Sequence, residues 1–172
     1  SRTYTRFNYI NLSTYTRPST SILNVRRFSD NQIVELFANG TSYKSVFGNF
    51  QRNVALDQIL EGYVYLLDDD NIMHPSFFED LDLSEHRDNI YTFDVDSYCP
   101  ERNIRYIARG SNPKVGSIDT SSVCIHKSII KDCHWDVTKY EADGLFIEQV
   151  IKNNNNNFTY INKVLGYKAV SY

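Results

Sequence analysis

Apolar and polar positions switch between a period of two and a period near 3.6 along this chain, and the switches outline its elements. Residues 9–12 are strand-like, and Thr16-Arg17-Pro18-Ser19 is turn material. A short helix is expected next, starting near Ser19 or Thr20 and ending near Phe28. Residues 32–37 are rich in β-formers and stop at Asn39-Gly40, a strong turn signal. Helical spacing is clearest over residues 50–60, where Val54, Ala55, Leu56, Ile59 and Leu60 supply the apolar positions and Gly62 is expected to close the helix. Residues 63–67 are then a nearly continuous apolar run, the pattern of a buried central strand in a parallel sheet.

The second half is less regular. Strand-like pieces lie at 90–95, 104–108 and 122–125, and a helix is expected over 143–151. Residues 158–161 and 164–170 read as two extended pieces, preceded by a polar loop at 153–157. Alternating strands and helices through the first half predict an α/β fold. With 172 residues, no repeat and no break in composition, the chain is expected to be one domain over 1–172 with room for a real core.

Composition changes this picture little. Apolar residues make up 41% and charged residues 23%, ordinary globular usage, while 13 Tyr and 10 Phe are the distinctive excess. A net charge of −3 without a basic block argues against nucleic acid as partner. Cys99, Cys124 and Cys133 lack C-x-x-C spacing and are odd in number, which fits a reducing, cytoplasmic compartment better than a disulfide framework. The sequons at Asn11, Asn39 and Asn157 pull only weakly the other way. No apolar run is long enough to span a bilayer, so no membrane span is expected in this chain.

The chemistry concentrates in Asp68-Asp69-Asp70, placed directly after the apolar strand. Ligands of open α/β sheets collect at the carboxyl ends of strands. Carboxylates there suit a hard cation, Mn²⁺ or Mg²⁺, that in turn binds substrate phosphates, and a cation would relieve the repulsion among three like charges. A solvated turn capping the following helix is the plainer reading of the same triplet.

Four segments in order resemble GT-A glycosyltransferases. Thr14-Tyr15-Thr16-Arg17-Pro18 resembles the "TYNRP" after their first strand, and Ala38-Asn39-Gly40-Thr41-Ser42 their "VVDNGST" turn, with Ala38 where many members carry an acid. Gln51-Arg52-Asn53-Val54-Ala55-Leu56 followed by Gly62-Tyr63-Val64-Tyr65-Leu66-Leu67-Asp68-Asp69-Asp70-Asn71 resembles their R-N-x-A helix leading into the DxD motif, most closely in the inverting family-2-like and glucuronyltransferase-like enzymes. The short length resembles compact virus-encoded members, or a domain of a longer protein.

The resemblance implies a Rossmann-like three-layer α/β/α sandwich around a mainly parallel sheet. Residues 1–95 would form a nucleotide-sugar-binding half and residues 96–172 an acceptor-binding half. The activity implied is metal-dependent transfer, with inversion, from a nucleotide-diphosphate sugar, UDP-sugar favoured, to a hydroxyl of a glycan or protein-glycan acceptor. Asp70 would ligate the metal, Asp68 would contact ribose or metal, and Asp69 would assist. Thr14, Tyr15 and Arg17 would line the nucleotide pocket, Tyr15 by stacking, with Asn39 nearby; Arg52 would pair with an acid of the loop or approach the donor.

Inverting transfer also needs a carboxylate base for the acceptor hydroxyl. The segment from Trp135 to Phe146 resembles the "W…ED…F" stretch that carries it, which nominates Asp143 first and Glu141 second; Asp143 could instead be the N-cap of its helix. Gly116-Ser117-Ile118-Asp119-Thr120-Ser121-Ser122 resembles the small-residue loop beneath the donor sugar. Trp135 is either an acceptor platform or core, and His74, His126 and His134 are candidate third metal ligands or ordinary structural histidines. A non-catalytic nucleotide-sugar-binding module is the alternative outside the enzymes. A sugar-nucleotidyltransferase is the alternative within them, and it needs a Gly-rich basic loop near the amino terminus that is not visible here.

Overall fold

A mixed sheet runs through the whole molecule. The computed structural model describes residues 7–12, 23–27 and 33–38 as backbone, and residues 49–68, 71–81, 83, 89–99 and 102–168 in more detail. The elements in order are β1 (Phe7–Leu12), β2 (Leu23–Arg27), β3 (Ile33–Ala38), α1 (Asn49–Gln58), β4 (Tyr63–Asp68), β5 (Asn71–Met73), α2 (Phe77–Asp80), β6 (Ile90–Cys99), β7 (Ile104–Ala108), β8 (Val123–His126), α3 (Lys127–Ile130), α4 (Ala142–Asn153) and β9 (Thr159–Lys168). The strand order is β2-β3-β1-β4-β8-β6-β9-β5, with β7 extending β6 as a hairpin.

The expected α/β class holds, with one difference in the sheet. Parallel pairing joins β1 to β3 and β4, and β6 to β9; the remaining pairs are antiparallel. The sheet is therefore mixed, not mainly parallel. β4 reads as a parallel-sheet strand because it is buried on both faces, and an antiparallel neighbour such as β8 satisfies that equally well.

Side chains alternate across β4. Val64 and Leu66 join Ala55 and Leu56 of α1, Ile59 just beyond it, and Phe146, Ile147 and Val150 of α4 in one core. Tyr63, Tyr65 and Leu67 join Phe77, Phe93 and Leu165 in a second core on the other face. Of the apolar positions expected on α1, Val54 and Leu60 turn outward; Asn49 and Arg52 are buried in their stead. Such a buried polar stripe signals a site more than a core.

Three local expectations are corrected. Residues 23–27, within the expected short helix, form a strand antiparallel to β3, because pairing to a sheet edge outweighs a weak local helical signal. Gly62 does not cap α1. The helix ends at Gln58, its Leu56 carbonyl accepts from Lys127 Nζ at 2.8 Å, and Gly62 supplies the left-handed turn (φ 91°) into β4. The two extended pieces near the end are one strand, β9, whose pairing with β6 skips from Phe93↔Ile161 to Asp94↔Val164; the irregularity splits the sequence pattern.

Asp94, at that irregularity, is a buried carboxylate with three donors: Gly110 N–H at 3.1 Å, Tyr160 hydroxyl at 2.8 Å and Arg109 Nη1 at 2.5 Å. It ties the segment after β7 across β6 and so sets the path towards Asp119. A Cβ on Gly110 would lie 2.6 Å from Phe93 N and closer still to the Phe93 carbonyl oxygen, and neither can yield without bending β6. Gly110→Ala is therefore expected to lower stability by about 1–3 kcal/mol, read as a reduced urea midpoint; an unchanged midpoint would show that the crossing is looser than described.

Candidate functional site

Arg52 is buried on α1, and the two groups that neutralise it come from different halves of the chain. Its Nη2 donates to Asp68 Oδ1 at 2.9 Å, at the carboxyl end of β4, and its Nη1 to Asp143 Oδ1 at 3.1 Å, in the first turn of α4. Nη1 also reaches Asn49 Oδ1 at 2.9 Å, one helical turn back. Only 4% of Arg52 is exposed. Burial by itself would lower the guanidinium's pKa, yet Asp68 and Asp143 more than compensate and hold it above its ordinary value.

Asp143 is held by two donors. Besides Arg52, the Trp135 indole Nε1–H donates to its Oδ1 at 3.0 Å, and the indole stacks on Phe146 of α4 with ring centroids 3.6 Å apart. A Cβ on the neighbouring Gly144 would sit 2.6 Å from Val115 Cα, so the loop leading to Asp119 packs directly on the start of α4. Burial is the largest influence on the carboxyl and raises its pKa. Arg52 and the indole bond oppose this, Asp119 and Asp68 add to it, and the result is a group pushed up to about 6.

Asp119 was not among the residues nominated from the sequence, and its charge is felt at Asp143. Its Oδ1 accepts from the Ser121 N–H (2.9 Å) and hydroxyl (2.7 Å), and its Oδ2 pairs with Lys168 Nζ at 3.1 Å. Burial works against its ionisation, but Lys168 and Ser121 together keep its pKa below the usual carboxylate range. Its signal in the sequence was an Asp two residues before a Ser, an ordinary turn-capping pattern. Thr120, Ser121 and Ser122 of the small-residue loop are themselves buried, and the Ser121 carbonyl accepts from Tyr65 Oη at 3.1 Å.

Several nominated residues fall elsewhere. Thr14, Tyr15, Arg17, Asn39, Asp69 and Asp70 lie outside the described residues. Glu141 is exposed at the N-cap position of α4, with no capping bond from its side chain; Asp143, inside the first turn, is not the N-cap. Trp135 is 2% exposed, which rules out an acceptor platform and makes it a support for Asp143. The histidines have local duties: His74 bonds Ser76, His126 caps α3 through Ser128, and His134 pairs with Asp57. Among the described residues no cluster of three His, Cys, Asp or Glu forms a metal site.

A hard cation still suits what surrounds Asp68. The Asp68 carboxylate lies there beside the Arg52 guanidinium, and Asn71, which follows the acidic loop in sequence, is buried with neither Oδ1 nor Nδ2 hydrogen-bonded among the described residues. An orphaned buried carboxamide costs about 1–3 kcal/mol unless a ligand engages it.

The raised Asp143 pKa fixes a sign for stability against pH. The folded carboxyl binds its proton more tightly than the unfolded one, so its contribution is present below about pH 4 and is lost as pH rises through about 6. Asp143→Asn removes this titration. Relative to the parent protein, the variant is expected to gain on the order of 2 kcal/mol between pH 4 and 7, whatever its offset at low pH. Parallel urea-derived stability curves across that range would contradict the assignment.

No family model matches the sequence, and no curated protein matches it. The fold, by contrast, is matched by crystal structures of S. aureus TarS. TarS 1–349 in complex with UDP-GlcNAc gives a TM-score of 0.64 at 13% identity over 97% of this chain and 59% of that one. TarS 1–349 gives 0.61 at 14% identity, with 95% and 60% covered, and its complex with UDP gives 0.54 at 16%, with 83% and 45% covered. The chain thus spans about 60% of TarS 1–349, and at this identity the likeness is one of fold: a GT-A-like α/β arrangement around a central sheet.

Proposed function

We propose that this chain is a glycosyltransferase that moves a sugar from a nucleotide-diphosphate donor, a UDP-sugar, onto an acceptor hydroxyl with inversion, using Mn²⁺ or Mg²⁺. The observation that carries the proposal is the buried Arg52 bridge between Asp68, at the end of the central strand, and Asp143, the one described carboxyl in this network with its pKa pushed up to about 6. Supporting it is a fold shared with a protein crystallised with both UDP-GlcNAc and UDP.

Asp143 is the base in this reading. It takes the proton of the acceptor hydroxyl as that oxygen bonds the anomeric carbon from one face, while the bond from that carbon to the diphosphate oxygen breaks on the other. A pKa near neutrality suits the task, since the group is largely ionised at pH 7 yet still basic enough to accept a proton. Asp68 and Asp70 would hold the cation, which when bound would supply positive charge to offset that of the departing nucleoside diphosphate. Arg52 keeps Asp68 and Asp143 apart from each other's repulsion and in fixed orientation.

The test is melting with UDP, GDP, CMP or dTDP, with and without Mn²⁺, followed by turnover. A ligand at about 100 times its dissociation constant adds roughly 2.7 kcal/mol. The expected result is a shift that needs both UDP and Mn²⁺ and is lost in Asp70→Ala. Asp143→Asn should retain the shift while turnover falls about 10²–10⁴-fold. A shift with no turnover in either protein would favour a nucleotide-sugar-binding module, and no shift with any nucleotide would overturn the proposal.

A further inference from the structure

The side chain that follows Arg52 makes a pair of contacts that core packing does not require. Asn53 Nδ2 donates to the Trp135 carbonyl oxygen at 2.9 Å, and Asn53 Oδ1 accepts from the Trp135 N–H at 2.8 Å. One carboxamide thus holds both backbone groups of one residue, 82 positions away, as a neighbouring strand would. One turn earlier on the same helix, Asn49 Nδ2 donates to the carbonyls of Asp136 (3.1 Å) and Lys139 (3.2 Å). Asn49, Arg52 and Asn53 therefore form one polar edge of α1, and all three grip the segment from Trp135 to Asp143. The held residue matters because Trp135 is buried, lies on Phe146 and gives its indole N–H to Asp143 Oδ1.

We infer that Asn53 is a positioning residue for the reaction: by fixing the Trp135 backbone in both directions, it sets the indole that orients the Asp143 carboxylate. The inference rests on the reading of Asp143 as the base. Arg52 supplies charge to that carboxyl, and Asn53, through Trp135, supplies its direction. Without Asn53, the buried Trp135 N–H and carbonyl lose their partners and must seek others, carrying the indole with them. A displacement of about 1 Å at a reacting group costs on the order of 10²-fold in rate while leaving a separately bound substrate largely undisturbed.

Trp135 is the only tryptophan in the chain, so its fluorescence reports this placement without reference to activity. The experiment compares the full chain with Asn53→Ala, Asn53→Gln and Ile59→Ala, the last a core truncation just past the end of α1 whose side chain takes part in none of these hydrogen bonds. In the unliganded protein, Asn53→Ala should red-shift the emission, and Ile59→Ala should not. With UDP-sugar and Mn²⁺ below the melting range, Asn53→Ala should lower kcat about 10- to 100-fold with donor KM changed less than about two-fold. Asn53→Gln, which keeps both hydrogen-bonding groups on a longer stem, should recover part of kcat. Emission unmoved by Asn53→Ala would overturn the mechanical link, as would kcat that simply follows melting temperature across all three variants. Full turnover in Asp143→Asn would remove the base and this inference together. Turnover lost in Asp143→Asn but intact in a folded Asn53→Ala would overturn the inference alone.

Discussion

A guanidinium taken out of water must be neutralised where it lies, and Arg52 imposes that requirement on the rest of this structure. Its two carboxylates come from the end of β4 and the start of α4, 75 residues apart in sequence, so neither half of the chain can satisfy it alone. Removing one partner of a buried pair is typically worth about 3–5 kcal/mol, far more than a surface ion pair. The approach of α4 to α1 and β4 is therefore constrained by charge as well as by the apolar core that Phe146, Ile147 and Leu56 share. Hydrophobic contact can tolerate small slides between helices; a guanidinium hydrogen-bonded to two separate carboxylates tolerates far less.

The sheet provides the frame within which this precision is possible. β4 is packed by a core on each face and ends at Asp68, directly before the acidic loop in sequence. In the second half of the chain the same job falls to irregular segments. The segment from Gly110 to Asp119 is tied down at Asp94, packs without clearance against Gly144, and ends in the turn capped by Asp119. The segment from Trp135 to Asp143 has no strand partners, and the α1 carboxamides take their place. Loops can hold functional groups accurately only when side chains supply the hydrogen bonds that a ladder would.

What could be read from the sequence followed the range of the forces involved. α1, β4, β8 and α4 were legible because burial on a face or along a whole strand leaves a periodic trace. Asp68, Arg52 and Asp143 were legible because their segments resemble a family in which such residues recur in order. β2 was misread, since strand formation there depends on β3 and not on local propensity. Asn53 stood inside a quoted motif without a role, because its partner is a backbone that no side-chain pattern marks. Trp135 left two readings open, and only its burial beneath Phe146 chose between them. Asp119 went unnominated because its influence on Asp143 passes through space from a turn with no sequence link to α4.

The electrostatic balance explains why Asp143 is neither an ordinary surface acid nor a permanently neutral one. Among the described residues, three carboxylates, Asp68, Asp119 and Asp143, share this region with two cations, Arg52 and Lys168, and Lys168 pairs with Asp119. The excess negative charge and the burial both favour a proton on Asp143. Were these alone at work, the group would hold its proton at neutral pH and could not act as a base. Were Arg52 and the indole alone at work, the carboxylate would be stabilised into a poor proton acceptor. The opposition of the two leaves a pKa of about 6, which requires burial, a shared cation and a directed N–H at one atom, Oδ1. A solvated acid capping a helix has no use for that combination, whereas the proposed base, which would lose its proton at rest and take one up during reaction, depends on it.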